Sequence, residues 1–170
     1  MAKQRVHVRL IYGQTGKSPL SHQFVLFKDR LQHLGYDVAD DIGWKHPQRI
    51  ARDLERRRGP VAIIGHSMGA LCTSWAAAAT NREIDLIVAY DPSGGYGPIG
   101  AGPPSPIGEN VKRTICFVGI NPHDMFREAP LTGHNVELIK TQTMHFDMMK
   151  DETMHSRTIA ELERIKGESS

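Results

Sequence analysis

Short apolar runs and helical stripes of apolar residues alternate along most of this chain. Val6, Val8 and Leu10 alternate with polar neighbours as in a strand, and the continuous run 61–64 is typical of a strand buried on both faces. The pattern predicts strands at about residues 6–12, 36–44, 61–64, 84–90, 111–118 and 136–140. It predicts helices at about residues 18–34, 47–58, 68–80 and 153–166, the first of them starting at Ser18-Pro19.

Strands that alternate with helices in this way indicate an α/β fold. We expect a three-layer α/β/α sandwich with a six-stranded, mainly parallel sheet in the order 2-1-3-4-5-6. The connection between strands four and five, residues 91–110, is an exception, because its repeated Gly and Pro residues disfavour a helix. We expect a long loop there, at the ends of the strands.

Length and composition exclude several classes of protein from consideration. A chain of 170 residues predicts a single domain, residues 1–170. The formal net charge of +2 argues against dedicated nucleic-acid binding. No apolar run approaches the roughly 20 residues that span a bilayer, and no signal segment is evident, so we expect a cytoplasmic protein without membrane insertion. Two cysteines are too few for a disulfide scaffold or a thiolate zinc cluster, and the nine histidines lack ligand-like spacing, so no metal is implied.

One motif in the sequence indicates a catalytic residue. Strand three runs directly into Gly65-His66-Ser67-Met68-Gly69, and an almost wholly apolar helix follows. This is G-x-S-x-G between a strand and a helix, the nucleophile elbow, in which a strained turn raises the serine hydroxyl above the sheet. Gly65 and Gly69 stand where strand and helix approach so closely that larger side chains would clash. Ser67 is therefore the expected nucleophile.

With this motif in this element order, the chain resembles the α/β-hydrolase superfamily. The resemblance implies triad partners in the order Ser, acid, His, with the histidine after the last strand. His145 lies there, whereas His155 falls within the predicted last helix. His66 adjoins the nucleophile, but we expect its side chain to point away at such a turn. His145 is therefore the expected base.

Two aspartates compete for the role of the acid. Asp91 ends strand four in Tyr90-Asp91-Pro92, the position used by a lipase-like minority of the superfamily. Asp124 follows strand five, the position used by most members, but it lies five residues beyond Gly119. We favour Asp91 because it abuts its strand directly, and Asp124 stays the alternative.

The resemblance also implies an oxyanion hole made of two backbone N–H donors. One belongs to Met68, at the start of the helix. The predicted sheet order places strands one and three side by side, so that the loop after strand one reaches the elbow. By analogy with the superfamily, the second donor is the N–H of Gln14, with Gly13 allowing the backbone to turn there.

Three other patterns have competing interpretations. The segment 13–18, Gly-Gln-Thr-Gly-Lys-Ser, partly matches a phosphate-binding P-loop, but that pattern requires a glycine where Ile11 stands, and Pro19 follows at once. A basic stretch is interpreted as a solvated helix face, with a phosphate-bearing or anionic partner as the alternative; it comprises Arg49, Arg52, Arg56, Arg57 and Arg58. Methionines near the proposed base are interpreted as core packing, with a hydrophobic acyl pocket as the alternative; they are Met144, Met148, Met149 and Met154.

Taken together, these patterns predict a small serine hydrolase with a minimal α/β-hydrolase fold that lacks a cap domain. It would cleave a carboxylic ester or thioester through an acyl-enzyme, without a cofactor. Because only the loop 91–110 is available to cover the site, the substrate could be a small molecule or a polymeric ester. A non-catalytic binding protein of the same fold and a P-loop-like nucleotide binder are the alternatives.

Overall fold

A computed structural model of the protein describes residues 5–14, 22–41, 43–94, 102–121 and 127–168. The strands are β1 (His7–Ile11), β2 (Asp37–Asp41), β3 (Val61–His66), β4 (Leu86–Tyr90), β5 (Thr114–Ile120) and β6 (Val136–Met144). The helices are α1 (His22–His33), α2 (Pro47–Arg56), α3 (Met68–Ala78) and α4 (Glu152–Glu168), and a short 3-10 helix, Asp147–Lys150, precedes α4. The predicted start of the first helix, Ser18-Pro19, lies outside the described residues.

The strands form one parallel sheet in the order β2-β1-β3-β4-β5-β6, as predicted. Alternate residues of each strand point to opposite faces, which creates two apolar layers. One layer packs the sheet against α1 and α4 through residues such as Phe27 and Leu162. The other packs it against α2 and α3 through residues such as Leu54 and Leu71. The predicted three-layer α/β/α sandwich is therefore confirmed.

The element bounds differ from the prediction mainly on the β4–β6 side of the sheet. The predicted fourth strand starts at Ile84, but that residue makes only an isolated bridge to Val111, and regular pairing begins later. The sixth strand is longer than predicted and continues to Met144. The prediction ended too early because exposed polar residues alternate along this strand and interrupt its apolar pattern. A strand at the edge of the sheet tolerates such residues, so its apolar pattern fades before the strand ends.

The connection between β4 and β5 contains no helix in its described parts, residues 91–94 and 102–113. The second of these parts lies against α3. Pro103 O accepts a hydrogen bond from Trp75 Nε1 at 2.9 Å, and the Ser105 N–H donates to Ser74 Oγ at 3.1 Å. These contacts lie about two helical turns, or roughly 10 Å, beyond the start of α3. This part of the loop therefore covers the helix rather than the ends of the strands.

Among the described residues, no helix is both long and apolar enough to cross a membrane.

Candidate active site

The turn between β3 and α3 has the geometry that its sequence predicts. Ser67 adopts φ 59° and ψ −126°, a left-handed conformation that is strained for a residue with a side chain. Its N–H donates to the Tyr90 carbonyl at 2.9 Å, which ties the turn to the end of the neighbouring strand β4. The side chain lies at the carboxyl edge of the sheet and is 7% exposed.

The two glycines of the motif stand at close backbone approaches. A Cβ atom on Gly65 would overlap the carbonyl oxygen of Gly69, so the strand and the first turn of the helix nearly touch. A Cβ atom on Gly69 would overlap the carbonyl oxygen of Ile11, at the end of β1. The expected steric need for glycine is confirmed, and it involves β1 as well as the strand that carries the elbow.

His145 lies directly after β6, next to Asp91 at the end of β4. Its Nδ1 is 2.5 Å from Asp91 Oδ2, and the two side chains are buried. The other carboxylate oxygen, Oδ1, accepts a hydrogen bond from the Gly119 N–H at 2.8 Å. A carboxylate at Nδ1 favours the tautomer protonated there, in which Nε2 is unprotonated and can act as a base.

The segment after Asp91 is held by backbone pairing. The Gly94 N–H donates to Arg127 O, and the Ala129 N–H donates to Pro92 O, on either side of a bridge between Ser93 and Glu128. This pairing fixes Ser93, which is 1% exposed, with its Oγ 3.1 Å from Ser67 Oγ. Sequence reasoning missed Ser93, although its place two residues after Asp91 in an Asp-Pro turn was a usable signal.

The expectation for His66 was wrong, since its side chain does not point away from the site. Its ring centroid lies 4.6 Å from that of His145, and its Nε2 is 3.0 Å from the His145 carbonyl oxygen. Because that partner can only accept, His66 Nε2 carries the proton. Burial, and then the nearby His145 ring, lower the pKa of His66 to about 3. His66 is therefore a neutral residue that packs against the proposed base.

The two backbone segments proposed as oxyanion donors both adjoin Ser67. A Cβ atom on Gly13 would lie 2.9 Å from Ser67 Cβ, so the loop after β1 passes beside the elbow, and the exposed Gln14 follows it. Met68 is the first residue of α3. The N–H groups in the first turn of a helix have no acceptor within that helix, so this one is available to a ligand.

No model of a known protein family and no curated protein matches the sequence. Solved structures do match over nearly the whole chain. One comes from work on LipS and LipT, two metagenome-derived lipolytic enzymes, with 15% identity, a TM-score of 0.64 and coverage of 95% of each chain. Another, a lid-less α/β serine hydrolase from Xanthomonas campestris, has 16% identity, a TM-score of 0.57 and coverage of 96% of this chain and 83% of that one. Est1E from Butyrivibrio proteoclasticus has 14% identity, a TM-score of 0.60 and coverage of 96% and 88%.

This chain has the α/β-hydrolase fold. Within that fold, Ser67, His145 and Asp91 follow β3, β6 and β4 at the carboxyl edge of the sheet. The structure places His145 in contact with Asp91, and it places Ser67 in contact with Ser93 and with the backbone of Tyr90. The alternative acid, Asp124, lies outside the described residues, as does Lys17 of the P-loop-like segment. Both oxygens of the Asp91 carboxylate accept hydrogen bonds, one from His145 and one from the Gly119 backbone N–H.

Three methionines and one histidine close in sequence to His145 are packed in the core of this α/β-hydrolase fold. Met148, Met149 and Met154 are buried in the core, as the packing interpretation predicts, whereas Met144 is about half exposed. His155 is buried on α4, with its ring stacked on Phe27 at 4.1 Å. Within the described ranges, no group of three or more His, Cys, Asp or Glu side chains is arranged to hold a metal ion.

Proposed function

We propose that the protein is a serine hydrolase that cleaves a carboxylic ester or thioester through an acyl-enzyme. The observation that carries this proposal is the buried pair of His145 and Asp91, 2.5 Å apart, at the same carboxyl edge of the sheet as a serine held in a strained turn. The ring of His66, the residue before that serine, lies 4.6 Å from the ring of His145. A structural serine cap would need neither that strain nor a buried imidazole–carboxylate pair next to it. The likeness to structures of lipolytic enzymes and of a lid-less serine hydrolase also supports the proposal.

In the proposed reaction, Ser67 Oγ attacks the acyl carbonyl carbon while His145 Nε2 accepts the hydroxyl proton. Asp91 keeps the imidazole in the required tautomer and stabilises the imidazolium that forms. The imidazolium then donates its proton to the departing alcohol or thiol, which leaves the acyl group on Ser67. A water molecule, deprotonated by His145, attacks this ester, releases the acid and restores the serine.

Negative charge develops on the carbonyl oxygen in both steps. We assign its stabilisation to the N–H groups of Met68 and Gln14, which adjoin Ser67 from the helix and from the loop after β1. Ser93 Oγ, 3.1 Å from Ser67 Oγ, would hold the resting hydroxyl in place. No cofactor is required for this chemistry.

The substrate proposal rests on the cover over the site. In the described part of the β4–β5 connection, only the segment 91–94 adjoins Ser67, because residues 102–110 lie along α3. We infer a shallow site that accepts a small-molecule ester or an ester group on a polymer. A panel of p-nitrophenyl esters and acyl thioesters of increasing acyl length would rank these substrates.

Labelling with a fluorophosphonate probe tests the proposal. The probe phosphonylates only an activated serine, so we expect the native protein to be labelled and the Ser67→Ala variant to remain unlabelled. Ser74→Ala is the matched control, because Ser74 is another buried serine, on α3. Absence of labelling in the native protein would exclude a serine hydrolase and would favour a non-catalytic binding protein of the same fold.

A further inference from the structure

A cavity of about 470 Å³ lies between β1 and α2, on the sheet face that packs against α2 and α3. It is lined by Arg9, Arg49, Arg52, Asp53, Arg56 and Arg57. Arg9 pairs in register with Ile63, four residues before Ser67 along β3. That separation is about 13 Å along the strand, so the cavity is distinct from the site around the elbow.

The sequence of α2 builds one wall of this cavity. Arg49, Arg52 and Arg56 stand at the helical spacing i, i+3 and i+7, which places them along one face. Ile50 and Leu54 are buried in the core on the adjoining face, which fixes the rotation of the helix. The arginine row cannot turn away from the cavity without exposing that apolar stripe.

Part of the cavity lining is a cluster of ion pairs around Asp53. The buried Arg9 side chain of β1 forms a short ion pair with Asp53. Asp53 also lies 3.5 Å from Arg57 Nη2 and 3.7 Å from His7 Nε2. Although burial alone would raise it, the pKa of Asp53 is lowered by Arg9 and then by Arg57. Asp53 is therefore ionised and already shared between two guanidinium groups.

In the part of the chain that the structure describes, the arginine row on α2 has no such neutralisation. Within the described residues, no carboxylate pairs with Arg49, Arg52 or Arg56. Arg52 Nε donates a hydrogen bond to the Gln48 carbonyl in the preceding turn of the helix. Asp53 is the one acidic residue among the six that line the cavity. Like charges around one concave space repel each other, and an anion bound between them would convert this repulsion into attraction.

We propose that this cavity binds a phosphate group, either free or carried by a small molecule. Guanidinium groups present paired N–H donors that match phosphate oxygens, and several of them facing one recess can engage one group together. A recess of this volume suits a compact anion better than an extended nucleic acid, which needs a basic surface rather than a cavity. The overall formal charge of only +2 also disfavours a general polyanion binder.

Isothermal titration of the full-length protein with sodium pyrophosphate, at constant ionic strength, tests the proposal. We expect saturable binding with one site per chain. In the Arg49→Gln/Arg56→Gln variant, the affinity should fall at least about tenfold, because charge-assisted hydrogen bonds are lost. The matched control is Lys45→Gln/Arg58→Gln, which removes the same charge from exposed positions that do not line the cavity. Its affinity should change by less than about twofold.

Parallel titrations with inorganic phosphate and with glycerol phosphate distinguish the two sources of the group. Tighter binding of glycerol phosphate would support a small-molecule ligand, and equal binding would support free phosphate. Three results would overturn the proposal: no saturable binding by the native protein, an equal loss in both double variants, or binding of a single-stranded oligonucleotide but of none of the small phosphates. Circular dichroism of each variant would verify that it is folded.

Discussion

Two clusters of polar side chains lie in neighbouring parts of the same sheet, and they are built in opposite ways. At the carboxyl ends of β3, β4 and β6, Ser67 has Ser93, His145 has Asp91, and His66 has a backbone carbonyl as its partner. Between β1 and α2, by contrast, a row of three arginines has no carboxylate partner among the described residues. Among the described residues, the groups of the first cluster have partners within the chain, whereas the arginine row of the second has no carboxylate partner.

The difference indicates what each cluster can do. A buried network whose groups are already paired is preorganised, so it can act on an uncharged acyl group without first recruiting an ion. Unpaired charges around a cavity gain stability only when an anion arrives from outside the chain. The fold thus separates the region for which we propose chemistry from the region for which we propose anion binding.

The largest expected effect comes from breaking the pair at the base. Asp91→Asn should lower kcat for a p-nitrophenyl ester by about 10⁴-fold, because the amide no longer holds the required imidazole tautomer. Steady-state kinetics measures this loss. Asp124→Asn is the control, and we expect it to change kcat by less than about threefold. If Asp124→Asn causes the large loss instead, the acid is misassigned.

The next effect concerns the close approach that holds the elbow. Gly69→Ala places a Cβ atom against the Ile11 carbonyl and should lower the free energy of unfolding by about 3 kcal/mol. Gly102→Ala is the control, because nothing lies within 4 Å of its added Cβ, and it should change that free energy by less than about 0.5 kcal/mol. Urea denaturation measures both. Equal stabilities of the two variants would contradict the steric account of the motif.

A smaller effect is expected at the hydroxyl that faces the nucleophile. Ser93→Ala removes one hydrogen bond to Ser67 and should lower kcat about five- to tenfold while fluorophosphonate labelling persists. Ser74→Ala, which truncates a buried serine on α3, should leave kcat unchanged within about twofold. A loss as large as that of Ser67→Ala would instead make Ser93 part of the reaction itself.

The last expected effect is on the pH dependence of stability. The pKa of His66 is about 3 in the folded protein and about 6.5 in an unfolded chain. The unfolded state therefore binds more protons between these values, and stability falls as the pH is lowered through that window. His66→Gln keeps an N–H donor for the His145 carbonyl but cannot be protonated. The fall in Tm from pH 6.5 to pH 4 should be smaller in this variant than in the native protein.

The exposed His22 provides the control for that experiment. His22→Gln should reproduce the native dependence of Tm on pH. If His66→Gln does so as well, His66 is not held neutral by its burial.

Much of the fold follows from the sequence because its strands are buried on both faces. The apolar run Val61–His66 must be covered on both faces, and the apolar helix after it must pack against the sheet. Strand order and layers are therefore predictable. The edge strand β6 is half solvated, and its length is less predictable for that reason. The strained turn at Ser67 could be predicted because the steric rule of the elbow is local.

The parts of the site that the sequence did not indicate depend on contacts between distant segments. The ring of His66 meets a residue 79 positions away, so no local rule gives its direction. Ser93 reaches Ser67 because a later segment pairs with its backbone. The arginine cavity is similar, since the basic pattern of α2 was visible but the contribution of Arg9 from β1 was not.

Mass-spectrometric mapping of the fluorophosphonate adduct tests the central claim most directly, because the hydroxyl of Ser93 lies only 3.1 Å from that of Ser67 in the elbow. The account predicts a single adduct on the peptide that contains Ser67, formed much more slowly in His145→Gln. An adduct on Ser93, or a rate of adduct formation that does not change in His145→Gln, would contradict it.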